Sequence, residues 1–127
     1  MESFVKNFIL MSIIYLALAS FIGVAMLANP QFYSLKFVHS HLNVLGWVSM
    51  MIYGVGYHVL PRFAGKKIKS VTIGKVQFYL ANAGLIGMLL FSVLGVKALT
   101  VAFGLIEVVS IFLFFYNMIA TLYGHEQ

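Results

Sequence analysis

Two histidines one residue apart, His39 and His41, are the side chains of this sequence with the clearest potential for chemistry. Both lie in an apolar stretch, where burying an imidazole without a partner costs several kcal/mol. Neutral imidazole is a ligand of heme iron, copper and zinc. On an α-helix, residues two apart point about 200° apart, so the two rings are poorly placed to share one small ion. The spacing therefore predicts two separate sites, one on each side of a helix.

Four other residues are candidates for contact with such a ligand. Asn43 lies within about 40° of His39 around the helix and is a candidate partner of that ring. Gly46 permits the close approach of a neighbouring helix or of a large flat ligand such as a macrocycle. Trp47 is a candidate to line the pocket of that macrocycle. Glu107 is the only acid within an apolar span. We expect Glu107 to accept a hydrogen bond from a ligand histidine, to carry protons or to hold helices together.

The composition is that of a membrane protein. Of the 127 residues, 62% are hydrophobic and 9% are charged, whereas a soluble domain carries about 25% charged residues. The sequence contains no cysteine, which excludes thiolate metal sites, iron–sulfur clusters and disulfides. The net charge of +5 is concentrated in one connection, and it indicates membrane orientation rather than a nucleic-acid partner.

Four apolar segments must position the candidate residues. Each has close to the length of about 20 residues that is needed to span a bilayer. They cover residues 8–27, 37–60, 75–93 and 98–123. Asn29-Pro30 and Pro61 are expected to end the first two, since proline does not continue a helix. Short connections favour antiparallel neighbours. We expect an all-α protein with a single domain over residues 1–127, whose four transmembrane helices form an antiparallel up-down arc or bundle.

The connection after the second segment predicts how the helices cross the membrane. Residues 62–69 contain one arginine and three lysines, and such basic connections stay on the cytoplasmic side. Both termini are then cytoplasmic, and His39 and His41 lie near the outer surface. An anionic lipid is the second interpretation of the same charges. Because no small-residue cleavage site precedes the first segment, we expect a retained helix, in an integral protein of a bacterial or archaeal inner membrane.

The second segment resembles a known family of membrane proteins. The residues that carry the resemblance are His39-Ser40-His41, Leu45-Gly46-Trp47, Gly54, Tyr57-His58, Pro61, Phe63 and Gly65. They resemble helix ten of subunit I of the heme–copper oxidases, most closely in the branch of the C-type oxidases and nitric oxide reductases. There the first histidine is the proximal ligand of the high-spin heme, and the second is an axial ligand of the low-spin heme. The resemblance covers residues 38–67 and implies that His39 and His41 bind two different hemes, expected here as heme b.

The likeness extends to architecture but leaves ligands missing. Subunit I is built from four-helix arcs, and helix ten is the second helix of the last one, so this chain resembles one arc alone. The other histidines here are His58 and His125, too few for the family's copper site and second low-spin ligand. One chain therefore cannot complete a dioxygen-reducing centre. The protein must then use symmetry or a partner chain. The opposite directions of the two rings favour a symmetric oligomer in which His39 of one copy faces His41 of the next. The resemblance to subunit I favours a trimer.

Three functions are consistent with these residues. The leading one is a membrane heme b protein for electron transfer or for binding nitric oxide or dioxygen, without complete oxidase or reductase activity of its own. The second is a non-catalytic accessory subunit of a larger oxidase or reductase. The third is a copper-binding membrane protein, since His-x-His occurs in extended copper-binding segments, although a helical context disfavours it.

Overall fold

The computed structural model describes residues 1–125 as four long helices joined by short connections. Helix α1 spans Ser3–Ala28, α2 spans Pro30–Phe63, α3 spans Val71–Leu94 and α4 spans Lys97–Tyr123. Each helix is long enough and apolar enough to cross a membrane, and the described residues contain no strand. The prediction of an all-α protein with four membrane-spanning helices is confirmed.

Helices α1 and α3 begin earlier than the apolar pattern predicts, as does α2, which begins at Pro30 rather than near residue 37. Helix α1 begins at Ser3 rather than near residue 8, and its first turn buries Phe4 inside the bundle. Helix α3 begins at Val71 rather than near residue 75, because the hydroxyl of Ser70 accepts a hydrogen bond from the N–H of Ile73 at 3.1 Å. Such a cap satisfies a backbone donor of the first turn. In α1 and α3, local contacts extend the helix beyond its apolar stretch.

Helix α2 changes its backbone geometry along its length. A 3₁₀ turn over Pro30–Leu35 leads into α-helical residues Lys36–His41, a π-helical segment over Leu42–Val48 and a final α-helical part over Ser49–Phe63. The prediction that Pro61 ends this helix is wrong, since the helix continues to its end at Phe63. Proline removes one backbone donor, a loss that is small so close to a helix end.

The helices form two antiparallel hairpins, α1 with α2 and α3 with α4. In each hairpin, the contacting residues have rising numbers in one helix and falling numbers in the other, as antiparallel helices require. Between α1 and α2 the contacts are Gly23 with His39, Tyr15 with Gly46 and Ile9 with Gly54; between α3 and α4 they are Gly84 with Glu107 and Gly87 with Phe103. A glycine takes part in each contact. Small residues of this kind let membrane helices approach closely.

Aromatic rings and one buried polar cluster join the two hairpins. The ring of Phe8 in α1 lies 5.1 Å from that of Phe78 in α3, measured between centroids. The hydroxyl of Tyr57 in α2 donates a hydrogen bond to Oε1 of Gln77 in α3 at 2.7 Å. The same hydroxyl accepts one from Nδ2 of Asn117 in α4 at 3.3 Å. The architecture is thus a bundle, in which α1 and α2 both contact α3.

Large apolar side chains cover the outside of the bundle. Phe21 is 76% exposed, and Leu105 and Phe112 are each 62% exposed. Soluble monomers rarely present extended apolar surfaces of this kind. Together with the four long apolar helices, this surface identifies an integral membrane protein.

Candidate cofactor-binding site

His39 lies in the α-helical part of α2 and points toward α1. Its Nδ1 lies 3.0 Å from the carbonyl oxygen of Ala19. Its Cε1 would lie 2.9 Å from a Cβ placed on Gly23, so the ring rests directly on that glycine. Because a carbonyl oxygen only accepts, Nδ1 carries the proton in this hydrogen bond. Neutral His39 therefore keeps its lone pair on Nε2, where it is available to a metal.

Asn43 lies beside His39, as its spacing on the helix predicts. Its side-chain Nδ2 donates to the backbone carbonyl of His39 at 3.0 Å and lies 3.4 Å from Nε2 of the ring. The second distance is long for a hydrogen bond between nitrogens. Nε2 of His39 is therefore only weakly engaged by the protein, and a stronger ligand can replace Asn43 there.

His41 is anchored in the same way but within its own helix. Its Nδ1 lies 2.8 Å from the carbonyl oxygen of Phe37, one turn earlier. The imidazole also lies against the phenyl ring of Phe37, with 3.9 Å between centroids and an interplanar angle of 31°. The carbonyl again fixes the proton on Nδ1 and leaves the lone pair on Nε2. His41 is half-buried, and this nitrogen forms no hydrogen bond with residues 1–125.

The two histidines share the arrangement that metal-ligating histidines have in proteins. Such residues donate their second ring N–H to a carbonyl or carboxylate, which fixes the tautomer and orients the ring. Here the acceptors are the carbonyls of Ala19 and Phe37. The rings do not converge, however, and the described part of the chain holds no cluster of three or more metal-ligating side chains. A metal at either ring must take its other ligands from a cofactor or a second chain.

Gly46 and Trp47 lie in the π-helical segment that follows the histidines. Gly46 is buried, and a Cβ there would lie 2.7 Å from Cβ of Tyr15. The close approach expected at Gly46 is therefore made by α1 within the chain, and that face has no room for a flat ligand. Trp47 is half-buried. π-Helical turns occur frequently at functional sites, and this one follows His41 directly.

Glu107 lies in the interior of the bundle, away from the histidines' hydrogen bonds. It is 2% exposed, and its Oε2 would lie 2.9 Å from a Cβ on Gly84. Neither carboxylate oxygen has a hydrogen-bond partner among the described residues. The expectation that Glu107 accepts a hydrogen bond from a ligand histidine is not met within the chain, because both Nδ1 atoms bond to backbone carbonyls.

The contacts of His39 with Ala19 and Gly23 in α1 were not indicated individually by the sequence. Ala19 and Gly23 belong to a run of small residues, which predicts close helix contact but does not say with which residue. His58 lies at the other end of α2, where it lines a cavity with Arg62 and Lys67. His58 and His39 therefore belong to different regions of the protein.

Comparisons with protein-family models, with curated proteins and with solved structures found no match to this chain. The resemblance of residues 38–67 to helix ten therefore depends on the residues of that segment alone.

Proposed function

We propose that this protein binds heme b through Nε2 of His39 and His41 and serves electron transfer or the binding of a small gas such as nitric oxide or dioxygen. The supporting observation is that both rings are held by Nδ1–H bonds to carbonyls, at 3.0 and 2.8 Å. This arrangement directs the Nε2 lone pair to a ligand and fixes the ring. The helix-ten resemblance favours heme iron over copper, and the diverging rings disfavour one shared ion.

The oligomeric state follows from the ligand count. Each copy offers one ligand on each side of α2, and a six-coordinate heme needs two. In a closed ring of identical copies, His39 of one copy meets His41 of the next, and no ligand is left unpaired. We propose a trimer, by analogy with the arcs of subunit I. The membrane is a bacterial or archaeal inner membrane, with both termini on the cytoplasmic side.

The chain's own residues have defined parts in this proposal. The carbonyl of Ala19 orients His39, and Gly23 lets the ring approach α1. Phe37 orients His41 through its carbonyl and flanks its ring. Heme b supplies one-electron chemistry at its iron when bound. Since Tyr15 fills the face of Gly46 within the chain, the macrocycle must lie outside the α1–α2 contact.

A direct test is a spectrum of the purified, size-fractionated protein after expression with ample heme. We expect a low-spin heme b spectrum, identified by pyridine hemochrome, with one heme per chain in a closed ring. His39→Ala and His41→Ala should each lose most of this spectrum. His58→Ala is the matched control, a histidine of the same helix with no proposed contact with the heme, and should retain the spectrum. A protein without a Soret band would overturn the proposal.

Carbon monoxide separates the two roles that the site permits. A heme ligated by two histidines has no open position, so adding carbon monoxide to the reduced protein should leave its spectrum unchanged. That result supports electron transfer. A shifted Soret band shows an open position and supports gas binding.

An accessory role in a larger oxidase or reductase is the second candidate. The same observation favours it: each face of α2 offers only one histidine ligand. A histidine of a larger chain can supply the second ligand of the heme. Mild-detergent purification from the native membrane tests it, since the larger chain should then co-purify.

A further inference from the structure

A cavity of about 410 Å³ lies beside the connection between α2 and α3. Its buried lining is apolar or aromatic and comes from Val5, Tyr57 and Pro61. Half-buried Ile68 and Val71 extend this lining toward the connection. Since the lining includes Val5 from the start of α1, the cavity lies at the opposite end of the bundle from His39, which contacts the last turns of α1.

Three basic side chains line this cavity, two of them exposed and one half-buried. Arg62, Lys66 and Lys67 line it, and Glu2 is the only acid among its lining residues. The ammonium of Lys66 already donates to the carbonyl oxygens of Leu122 at 2.9 Å and Gly124 at 3.2 Å. Its charge therefore stabilises the C-terminal end of α4.

Arg62 and Lys67 are left to attract a ligand. Both are exposed, and neither donates a side-chain hydrogen bond to any residue within 1–125. Two cations next to a buried apolar lining form an amphipathic site at the end of the membrane spans. If Arg62 and Lys67 only oriented the protein in the membrane, no cavity would be needed beside them.

We infer that this cavity binds the headgroup of an anionic phospholipid, with its phosphate at Arg62 and Lys67 and its glycerol region on the apolar lining. Basic pockets between transmembrane helices bind anionic headgroups in this manner. A free anion would gain nothing from Tyr57 and Pro61, whereas an amphiphile buries apolar surface there. The inference is independent of heme, because it uses no residue of the His39 and His41 region.

Native mass spectrometry of the detergent-solubilised full chain provides the test. Phosphatidylglycerol should bind in preference to phosphatidylcholine. Replacing Arg62 and Lys67 together by alanine should weaken phosphatidylglycerol binding about 25-fold, because each basic residue near an anionic lipid contributes about a factor of five. Binding of phosphatidylcholine should not change.

Three further arms make the result specific. Lys36→Ala with Lys97→Ala removes the same charge from the other end of the bundle and should leave phosphatidylglycerol binding intact. Arg62→Lys with Lys67→Arg keeps the charge and should keep the binding, while unchanged phosphatidylcholine binding by the alanine pair shows that this pair still folds. Inorganic phosphate at equal concentration should not displace the lipid. Equal binding of the two lipids, equal weakening in both alanine pairs or displacement by phosphate would each overturn the inference.

Discussion

The two histidines differ in what holds them, although both present Nε2. The acceptor for His41 is Phe37 in the preceding turn of the same helix, so the ring is oriented as soon as α2 forms. The acceptor for His39 is Ala19 in another helix, so its orientation depends on how α1 packs on α2. A change in α1 should therefore disturb His39 and leave His41 in place.

Gly23→Ala tests this dependence. The added methyl would lie 2.9 Å from Cε1 of His39 and force the ring away from the carbonyl of Ala19. Losing the orienting bond of a metal ligand typically costs about 10-fold or more in affinity, so we expect heme titration to show a loss of that size. Gly104→Ala is the control, since its methyl would meet only Sδ of Met88 at 3.6 Å. Equal heme affinity in both variants would contradict the role of α1.

Glu107→Gln tests whether the buried carboxyl assists the heme. Glu107 has no hydrogen-bond partner among the described residues, and an ionised carboxylate without a partner is costly to bury. Glutamine keeps its shape without a charge, so we expect the free energy of unfolding to stay the same or rise by about 1 kcal/mol. The heme midpoint potential should not change, because no histidine bonds to Glu107 within the chain. A shift in potential, measured by redox titration, would assign Glu107 a role at the heme.

At the scale of elements, hydropathy alone was sufficient to place four spans, because each helix turns a mostly apolar surface outward. It could not place their ends, which depend on particular contacts such as the cap formed by Ser70. The π-helical segment Leu42–Val48 packs against Tyr15 through Gly46, and no residue pattern marks it. The neighbour relation of His39 and Asn43 was predictable because it needs only the helical repeat. The contact of His39 with Ala19 was not, since it requires the register of two helices.

Asn117 in α4 shows how one side chain fixes the connection before α3. Its amide accepts from the N–H of Ser70 at 3.1 Å and donates to the carbonyl of the same residue at 2.8 Å. Asn117→Ala leaves the N–H of Ser70 without its partner and removes one bond each from the carbonyl of Ser70 and the hydroxyl of Tyr57. We therefore expect a loss of about 1–3 kcal/mol in the free energy of unfolding. Thermal and denaturant unfolding in detergent measure it. Thr100→Ala, which loses only an exposed bond to the carbonyl of Val96, the residue before α4, should change stability little.

For the whole molecule, α2 connects two regions of different chemistry. Its first half carries the paired imidazoles, and its last turns carry His58 and Arg62 beside the basic cavity. Within one copy the first region is incomplete, because the two Nε2 atoms have no common target. The second region is complete, because one copy supplies both its cations and its apolar lining. Heme binding should therefore depend on assembly, whereas lipid binding should not.

Mixing the two histidine variants tests the dependence on assembly. A chain with His39→Ala keeps His41, and a chain with His41→Ala keeps His39, so each alone forms a ring without one complete heme site. When both are co-expressed, an interface is complete where the intact His39 meets the intact His41, which random assembly produces at about a quarter of interfaces in a closed ring. We expect the low-spin spectrum to return at about that fraction of the unmodified protein's level. If each heme were held by a single copy or by a larger chain, the mixture would show no more heme than the variants show separately.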